Sequence, residues 1–217
     1  MRIVIVAGGR LNTGNSWRRW VRAGDQIVGA DGGAARALAL GLVPDLVIGD
    51  LDSLPTGQRR ALEARGCRFL AHPRAKDETD LELALTYAAE QDAGEIVILA
   101  ALGGRLDHTL ANLLLLALPQ LAGRSVRMVD GRDTALLLRG GEEVFLEGQP
   151  GDLVSLLPLG GDAVGVTASG LAWPLRGDTL RFAFSRGVSN EMTGTEAAIR
   201  LEQGLLLVVH RAYASGA

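Results

Sequence analysis

Residues 26–55 read QIVGADGGAARALALGLVPDLVIGDLDSLP, and their order decides the fold. Gln26–Ala30 is a short apolar run that stops at Asp31-Gly32-Gly33. Gly33–Leu40, rich in Ala and Leu, reads as a helix closed by Gly41 and then Pro44. Leu46–Ile48 is a second strand that passes directly into Gly49-Asp50-Leu51-Asp52-Ser53. Strand, glycine-rich loop, helix, strand and acidic loop is the repeating unit of a parallel sheet, whose neighbouring strands need a crossover between them.

The same alternation extends in both directions. Ile3–Val6 is a strand stopped by Gly8-Gly9. Pro55–Arg65 reads as a helix with Pro at its start and Gly66 at its end. Arg68–Ala71 is a weaker strand. Thr79 and Glu82 fit a capping box, after which Leu81, Ala84, Leu85 and Ala88 share one helical face. Glu95–Leu99 has the continuous apolar centre of a strand buried on both faces. Thr109–Leu118 reads as a helix ended by Pro119, with Leu113–Leu118 a buried segment, and Ser125–Val129 is a further strand. After about Arg132 the character changes. Ala135–Leu138, Glu143–Leu146, Leu153–Leu157, Val164–Val166, Leu180–Phe184 and Leu205–Val209 are short strands separated by Gly, Asp and Pro. They predict a small antiparallel sandwich or barrel beyond a boundary in 123–134.

Composition sets the class. Of 217 residues, 47% are hydrophobic and 22% charged, as in a folded soluble protein. A net charge of −3 offers no general attraction to nucleic acid or to an anionic membrane. No apolar run approaches the roughly 20 residues of a membrane span. The N-terminus lacks a signal-peptide plan and Cys67 is the sole cysteine, so a cytoplasmic location is expected, without a disulfide or cysteine metal cluster. Only Lys76 of the 22 basic residues is a lysine; the other 21 are arginines.

The polar residues of interest follow the strands. Ligands of open parallel sheets bind beyond the carboxyl ends of the strands, where Asp31, Asp50, Asp52 and Asp107 are expected. Carboxylates gathered there repel one another unless a cation compensates, and magnesium does so while also holding phosphate oxygens. Asp50 and Asp52 face one side if the backbone between them stays extended; Asp52-Ser53 before Pro55 is equally ordinary turn chemistry. Asp77 and Asp80 flank the start of the third helix, where acids complement the helix dipole, and Lys76 beside them can pair with the acids or touch phosphate. In Gly103-Gly104-Arg105-Leu106-Asp107-His108 the loop can aim Arg105 at phosphate, while His108 can equally cap a helix. In the second half, Trp173 either stacks on a flat ring or packs in the core, and Ser189-Asn190-Glu191 reads as a solvent-facing turn.

Taken in order, Ala30-Asp31-Gly32-Gly33, Gly49-Asp50-Leu51-Asp52-Ser53, Lys76-Asp77-Glu78-Thr79-Asp80, Gly103-Gly104-Arg105-Leu106-Asp107-His108 and Val188-Ser189-Asn190-Glu191 resemble the thiamine pyrophosphokinase family across nearly the whole chain. Leu11–Arg22, with two tryptophans and three arginines, matches no part of that pattern. The resemblance implies an α/β fold: an N-terminal Rossmann-like domain with a mostly parallel sheet (1–130, binding Mg-ATP) and a C-terminal all-β sandwich (131–217, contributing to thiamine binding and dimerisation). It implies transfer of a pyrophosphoryl group from ATP to thiamine, giving thiamine diphosphate and AMP. Asp50, Asp52, Asp77, Asp80 and Asp107 would form the magnesium site, with Asp50, Asp52, Asp80 and Asp107 catalytic and Asp80 or Asp107 the proton acceptor. Asp31, Lys76, Arg105 and His108 would line the nucleotide. Ser189, Asn190 and Trp173 would face thiamine across the subunit interface of a homodimer.

Overall fold

The structure is a computed structural model that describes residues 1–10 and 16–213. It divides into two compact units, Met1–Gly131 and Arg132–Ala217.

In the first unit, strands β1 (Arg2–Val6), β2 (Gln26–Ala30), β3 (Leu46–Gly49), β4 (Arg68–Ala71), β5 (Glu95–Leu99) and β6 (Ser125–Asp130) form parallel pairs in the order β6-β5-β1-β2-β3-β4. Helices α1 (Gly33–Ala39), α2 (Thr56–Glu63), α3 (Asp80–Glu90) and α4 (Leu106–Leu115) alternate with them. The sheet centre is as apolar as the continuous strand runs require, with Ile3, Val4, Ile5, Val47, Ile48, Ile96, Val97 and Ile98 wholly buried. Leading from β4 at the sheet edge to β5, α3 packs against β1, β2 and β3. Its start is fixed by Thr79, whose hydroxyl accepts the Glu82 N–H at 3.2 Å, as the capping box predicts. Trp17, in the short 3-10 turn Ser16–Trp20, is buried with Val4, Ile27, Val97 and Val129, so that part of the unmatched segment is core. Leu11–Asn15 lie outside the described residues.

Two expectations for α4 fail. It starts at Leu106, before Thr109, and none of its residues is buried. Leu106, Leu110 and Leu114 are 73%, 53% and 58% exposed, and the expected buried run Leu113–Leu118 contributes only Leu116 to the core. Hydrophobic content marks a face as apolar; what covers it is a tertiary matter.

The second unit contains two antiparallel sheets. One has the order β12 (Asn190–Glu191), β9 (Leu153–Pro158), β14 (Leu205–Arg211), β7 (Asp133–Arg139); the other β11 (Leu175–Leu180), β10 (Ala163–Ser169), β13 (Glu196–Arg200), β8 (Glu143–Glu147). Leu136, Val154, Leu156 and Val208 from the first share one apolar cluster with Leu146, Val166 and Ile199 from the second. The strand expected at Leu180–Phe184 lies earlier, because Ala183 takes φ +66° and the Phe182 N–H turns to Asp162 Oδ1 at 2.8 Å. Strand β13 went unread because its buried positions, Ala197 and Ile199, give a weak alternation.

One buried polar group ties this unit together. Asp152, 3% exposed, accepts the N–H groups of Tyr213 (2.7 Å) and Gln149 (3.1 Å) and lies 2.8 Å from His210 Nε2. Burial pushes its carboxyl up, but these three partners outweigh burial and hold it below the usual 3.8. Asp152→Ala is expected to cost about 2 kcal/mol at neutral pH by urea unfolding, the scale of stranded buried donors. A depressed folded pKa gives stability that is full above the unfolded value and lost as pH falls through the folded one, so the deficit should shrink in acid.

Candidate functional site

The carboxyl edge of the parallel sheet is shaped by two glycines. A Cβ on Gly33 would lie 1.7 Å from the Val6 carbonyl oxygen, so only glycine lets α1 begin against the end of β1. Just before it, Asp31 adopts φ +41°; its N–H donates to Ile48 O (2.7 Å), and its carbonyl accepts from Ala34 N (2.9 Å). Gly49, at φ +149°, ends β3 between two acids: a Cβ there would sit 2.7 Å from Asp31 Cβ and 3.0 Å from Asp80 Oδ1. The missing side chain lets Asp31, just after β2, and Asp80, in the first turn of α3, close on β3.

Asp31, Asp50 and Asp52 each offer a carboxylate oxygen, all within 4.8 Å of one another. Asp31 is 9% exposed and its Oδ1 is buried with no hydrogen-bond partner. Asp50 and Asp52 reach this cluster by a turn rather than by the extended backbone expected. Leu51 takes φ +63°, and the Asp52 N–H folds back onto Asp50 Oδ1 at 3.1 Å. That N–H first, then the Asp52 side chain and the charges of Lys76 and Arg74, hold the Asp50 carboxyl below its ordinary value against the opposing effect of burial. Arg74 NH1 stands 3.7 Å from Asp52 Oδ2, a partner that sequence reading missed. Lys76 Nζ pairs with Asp80 Oδ1 at 2.7 Å, its side chain 12% exposed. Asp77 is exposed and stands outside the trio.

Further along the edge, the Gly9 N–H donates to Ala100 O at 2.9 Å, tying the loop after β1 to the loop after β5. Strand order reverses between these two strands, the usual position of a ligand crevice in such sheets. Arg105 grips both oxygens of Asp107. With the His108 N–H at 2.9 Å, this holds the Asp107 carboxyl down at about 2. Both side chains are exposed, and Asp107 is not in the trio. His108 is likewise exposed.

In the second unit Trp173 is 61% exposed, so the core reading of this tryptophan fails. Ser189 is exposed at φ +59°, its N–H donating to Ser155 Oγ at 3.0 Å. Asn190, expected in a solvent-facing turn, is buried at 6% exposure in strand β12. Its carboxamide points to the protein's own backbone, accepting from Trp173 N (3.0 Å) and donating to Trp173 O (2.6 Å).

Residues 17–128, more than half of the chain, match the family described as thiamin pyrophosphokinase, catalytic domain, and residues 143–206 match its vitamin B1 binding domain. The chain belongs to the thiamin pyrophosphokinase family. That family is one of ATP-dependent pyrophosphoryl transferases. Among its relatives, the thiamine pyrophosphokinase of Bacillus subtilis (strain 168) is 28% identical over 207 residues, covering 95% of this chain and 97% of that protein. Thiamine pyrophosphokinase 1 of Arabidopsis thaliana is 28% identical over 175 residues, 76% of this chain and 65% of that one. The crystal structure of the Bacillus subtilis enzyme superimposes with a TM-score of 0.87 at 27% identity, over 98% of this chain and 99% of that one. The thiamin pyrophosphokinase of Geobacillus thermodenitrificans gives 0.82 at 28%, over 99% of each chain.

Within this thiamin pyrophosphokinase fold, the acids divide differently from the sequence expectation. Asp50 and Asp52 meet Asp31, which was expected to line the nucleotide rather than join the metal set. Asp80 approaches Asp31 across Gly49, whereas Asp77 and Asp107 stand outside the trio. The signal for Asp31 was its place before Gly32-Gly33, where a tight turn aims the preceding side chain back at the neighbouring strand.

Proposed function

We propose that this chain makes thiamine diphosphate and AMP from ATP and thiamine, with the acidic trio as its magnesium–triphosphate site. The observation that carries the reading is the buried, unpartnered Asp31 Oδ1 beside Asp50 and Asp52 at the carboxyl edge of a parallel sheet. A carboxylate oxygen is stable there only with a cation or proton to balance it, and three oxygens spaced for one ion fit a hard divalent metal. Asp31, Asp50 and Asp52 would hold magnesium, which when bound neutralises charge on the transferring phosphate oxygens.

The chain's own residues then supply alignment and proton transfer. The hydroxyl oxygen of thiamine bonds to the β-phosphorus as the bond to the bridging oxygen breaks, and AMP departs with the electron pair. Asp107 has both oxygens on Arg105, whereas Asp80 gives Lys76 a single one, which favours Asp80 as acceptor of the hydroxyl proton. Arg105 and Lys76 are the phosphate cations, and His108, in the first turn of α4, lines the nucleotide beside Arg105. Asp77 is left as a charge of the α3 terminus. Lys76→Ala is expected to raise the KM for ATP about tenfold or more, the loss of one charge-assisted bond; unchanged ATP kinetics would refute that role.

In this reading the first unit is the Rossmann-like catalytic domain and the second a β-sandwich whose Trp173 and Ser189 meet thiamine, in a cytoplasmic enzyme. No helix among the described residues is long and apolar enough to cross a membrane. For the implied homodimer, whose dimerisation was expected of residues 131–217, we assign a further contact to the exposed stripe of Leu106, Leu110 and Leu114 in the first unit. Leu110→Glu should shift the sedimenting mass from twice 22.8 kDa toward the single chain; a monomeric parent protein would sink the dimer.

The direct test is incubation with ATP, magnesium and thiamine, with chromatographic separation of nucleotides and thiamine esters. AMP formed one-for-one with thiamine diphosphate, and only with metal, is the expected result. ATP consumed without thiamine diphosphate would overturn the acceptor, and no turnover would overturn the activity.

A further inference from the structure

We infer that Asn190 is a positioning residue: its buried carboxamide clamps the Trp173 backbone so that the exposed indole offers one fixed face to a flat cationic ring. The inference rests on the proposed thiamine site and adds to it by removing Asn190 from direct contact with the substrate. Asn190 Oδ1 accepts from both Trp173 N (3.0 Å) and Glu191 N (2.9 Å), and Nδ2 donates to Trp173 O at 2.6 Å. Both acceptor sites of the amide oxygen are thereby used. At 6% exposure the group has little surface to present to a ligand.

The surrounding bonds make the clamp rigid. Ala172 N–H donates to Glu191 O (2.8 Å), Thr193 N–H to Gly170 O (3.0 Å), and Leu171 bridges to Met192. Met192 N–H in turn donates to the carbonyl of the buried Asp152 at 2.8 Å. Residues 170–173 are therefore strapped along 190–193, yet the indole they carry is 61% exposed. A large ring on a fixed backbone and open to solvent is suited to a cationic, aromatic partner, through stacking and cation–π attraction. Thiamine carries such a charge on its thiazolium ring.

The test is a double-mutant cycle on the full chain, with Asn190→Ser, Trp173→Ala and the pair. Both single variants should raise the KM for thiamine about tenfold, the scale of one desolvated cation–π contact, with the KM for ATP unmoved. The pair should be no worse than Trp173→Ala alone; additive losses would overturn the inference, since Asn190 would then act independently of the ring. A second readout needs no substrate. In protein labelled with fluorotryptophan, the Trp173 resonance, identified by its loss in Trp173→Phe, should shift or broaden in Asn190→Ser while those of Trp17 and Trp20 stay. An unmoved Trp173 signal would overturn the clamp. If Asn190→Ser does not fold, Asn190→Asp keeps the acceptor oxygen but sets a carboxylate oxygen against Trp173 O in place of the donor, which breaks the clamp at that bond, and the same readouts apply. A parent protein that makes no thiamine diphosphate would instead sink the proposed function, and the fluorine signal would still decide the clamp.

Discussion

Asp31→Asn is expected to lower kcat by about two to three orders of magnitude, the scale of losing one preorganised group at a developing charge. In metal-free buffer the same variant should unfold at the parent temperature or above it. The two effects have one cause. Asp31 is 9% exposed, its Oδ1 has no partner, and two further carboxylates approach within 4.8 Å. Without a cation that arrangement costs stability, and a neutral side chain of the same shape relieves it. Binding to the folded state alone stabilises it, so magnesium should raise the melting temperature of the parent and leave that of the variant nearly unmoved. Calorimetry with and without magnesium, beside steady-state kinetics, reads both. Normal turnover, or a variant that unfolds more readily without metal, would remove Asp31 from the site.

Gly49→Ala should be a strongly damaging exchange of a single hydrogen for a methyl at the acidic edge. The added Cβ would stand 2.7 Å from Asp31 Cβ and 3.0 Å from Asp80 Oδ1, on a backbone at φ +149° that side chains rarely adopt. Overpacking and strain together predict a loss of about 2–4 kcal/mol. Because the methyl separates Asp31 from Asp80, turnover should fall even at temperatures where the variant stays folded. Gly57→Ala is the control: it lies within α2, nothing stands within 4 Å of its Cβ, and the change should be neutral or stabilising. Urea unfolding of both variants measures the contrast, and equal stabilities would show that the edge at Gly49 relaxes freely.

The alternating half of the chain was legible because its signals are local. Gln26–Ala30, Arg68–Ala71 and Glu95–Leu99 end where their apolar runs end, and Thr79 caps α3 through the Glu82 N–H. In the second half β13 escapes reading because its inward positions, Ala197 and Ile199, alternate weakly, and the strand near Leu180 ends earlier than expected because the chain turns at Ala183. The site divides the same way. That Asp31, Asp50 and Asp52 follow strands, and so stand at one edge, is legible in the sequence; that Asp31 joins the other two while Asp107 turns to Arg105 is not.

By itself, then, the sequence determined the strand–helix order of the first unit, the family, and the edge at which the acids gather. The element order and the edge follow from hydrophobic period, turn residues and chain direction, each read within a few residues, and the family from the resemblance of its motifs. Only the tertiary structure decided which acids meet, that Asn190 turns inward to hold Trp173, and that the leucines of α4 stay uncovered. Those outcomes depend on gaps and neighbours supplied by distant segments, such as the space at Gly49 between β2 and α3, and no local pattern encodes them.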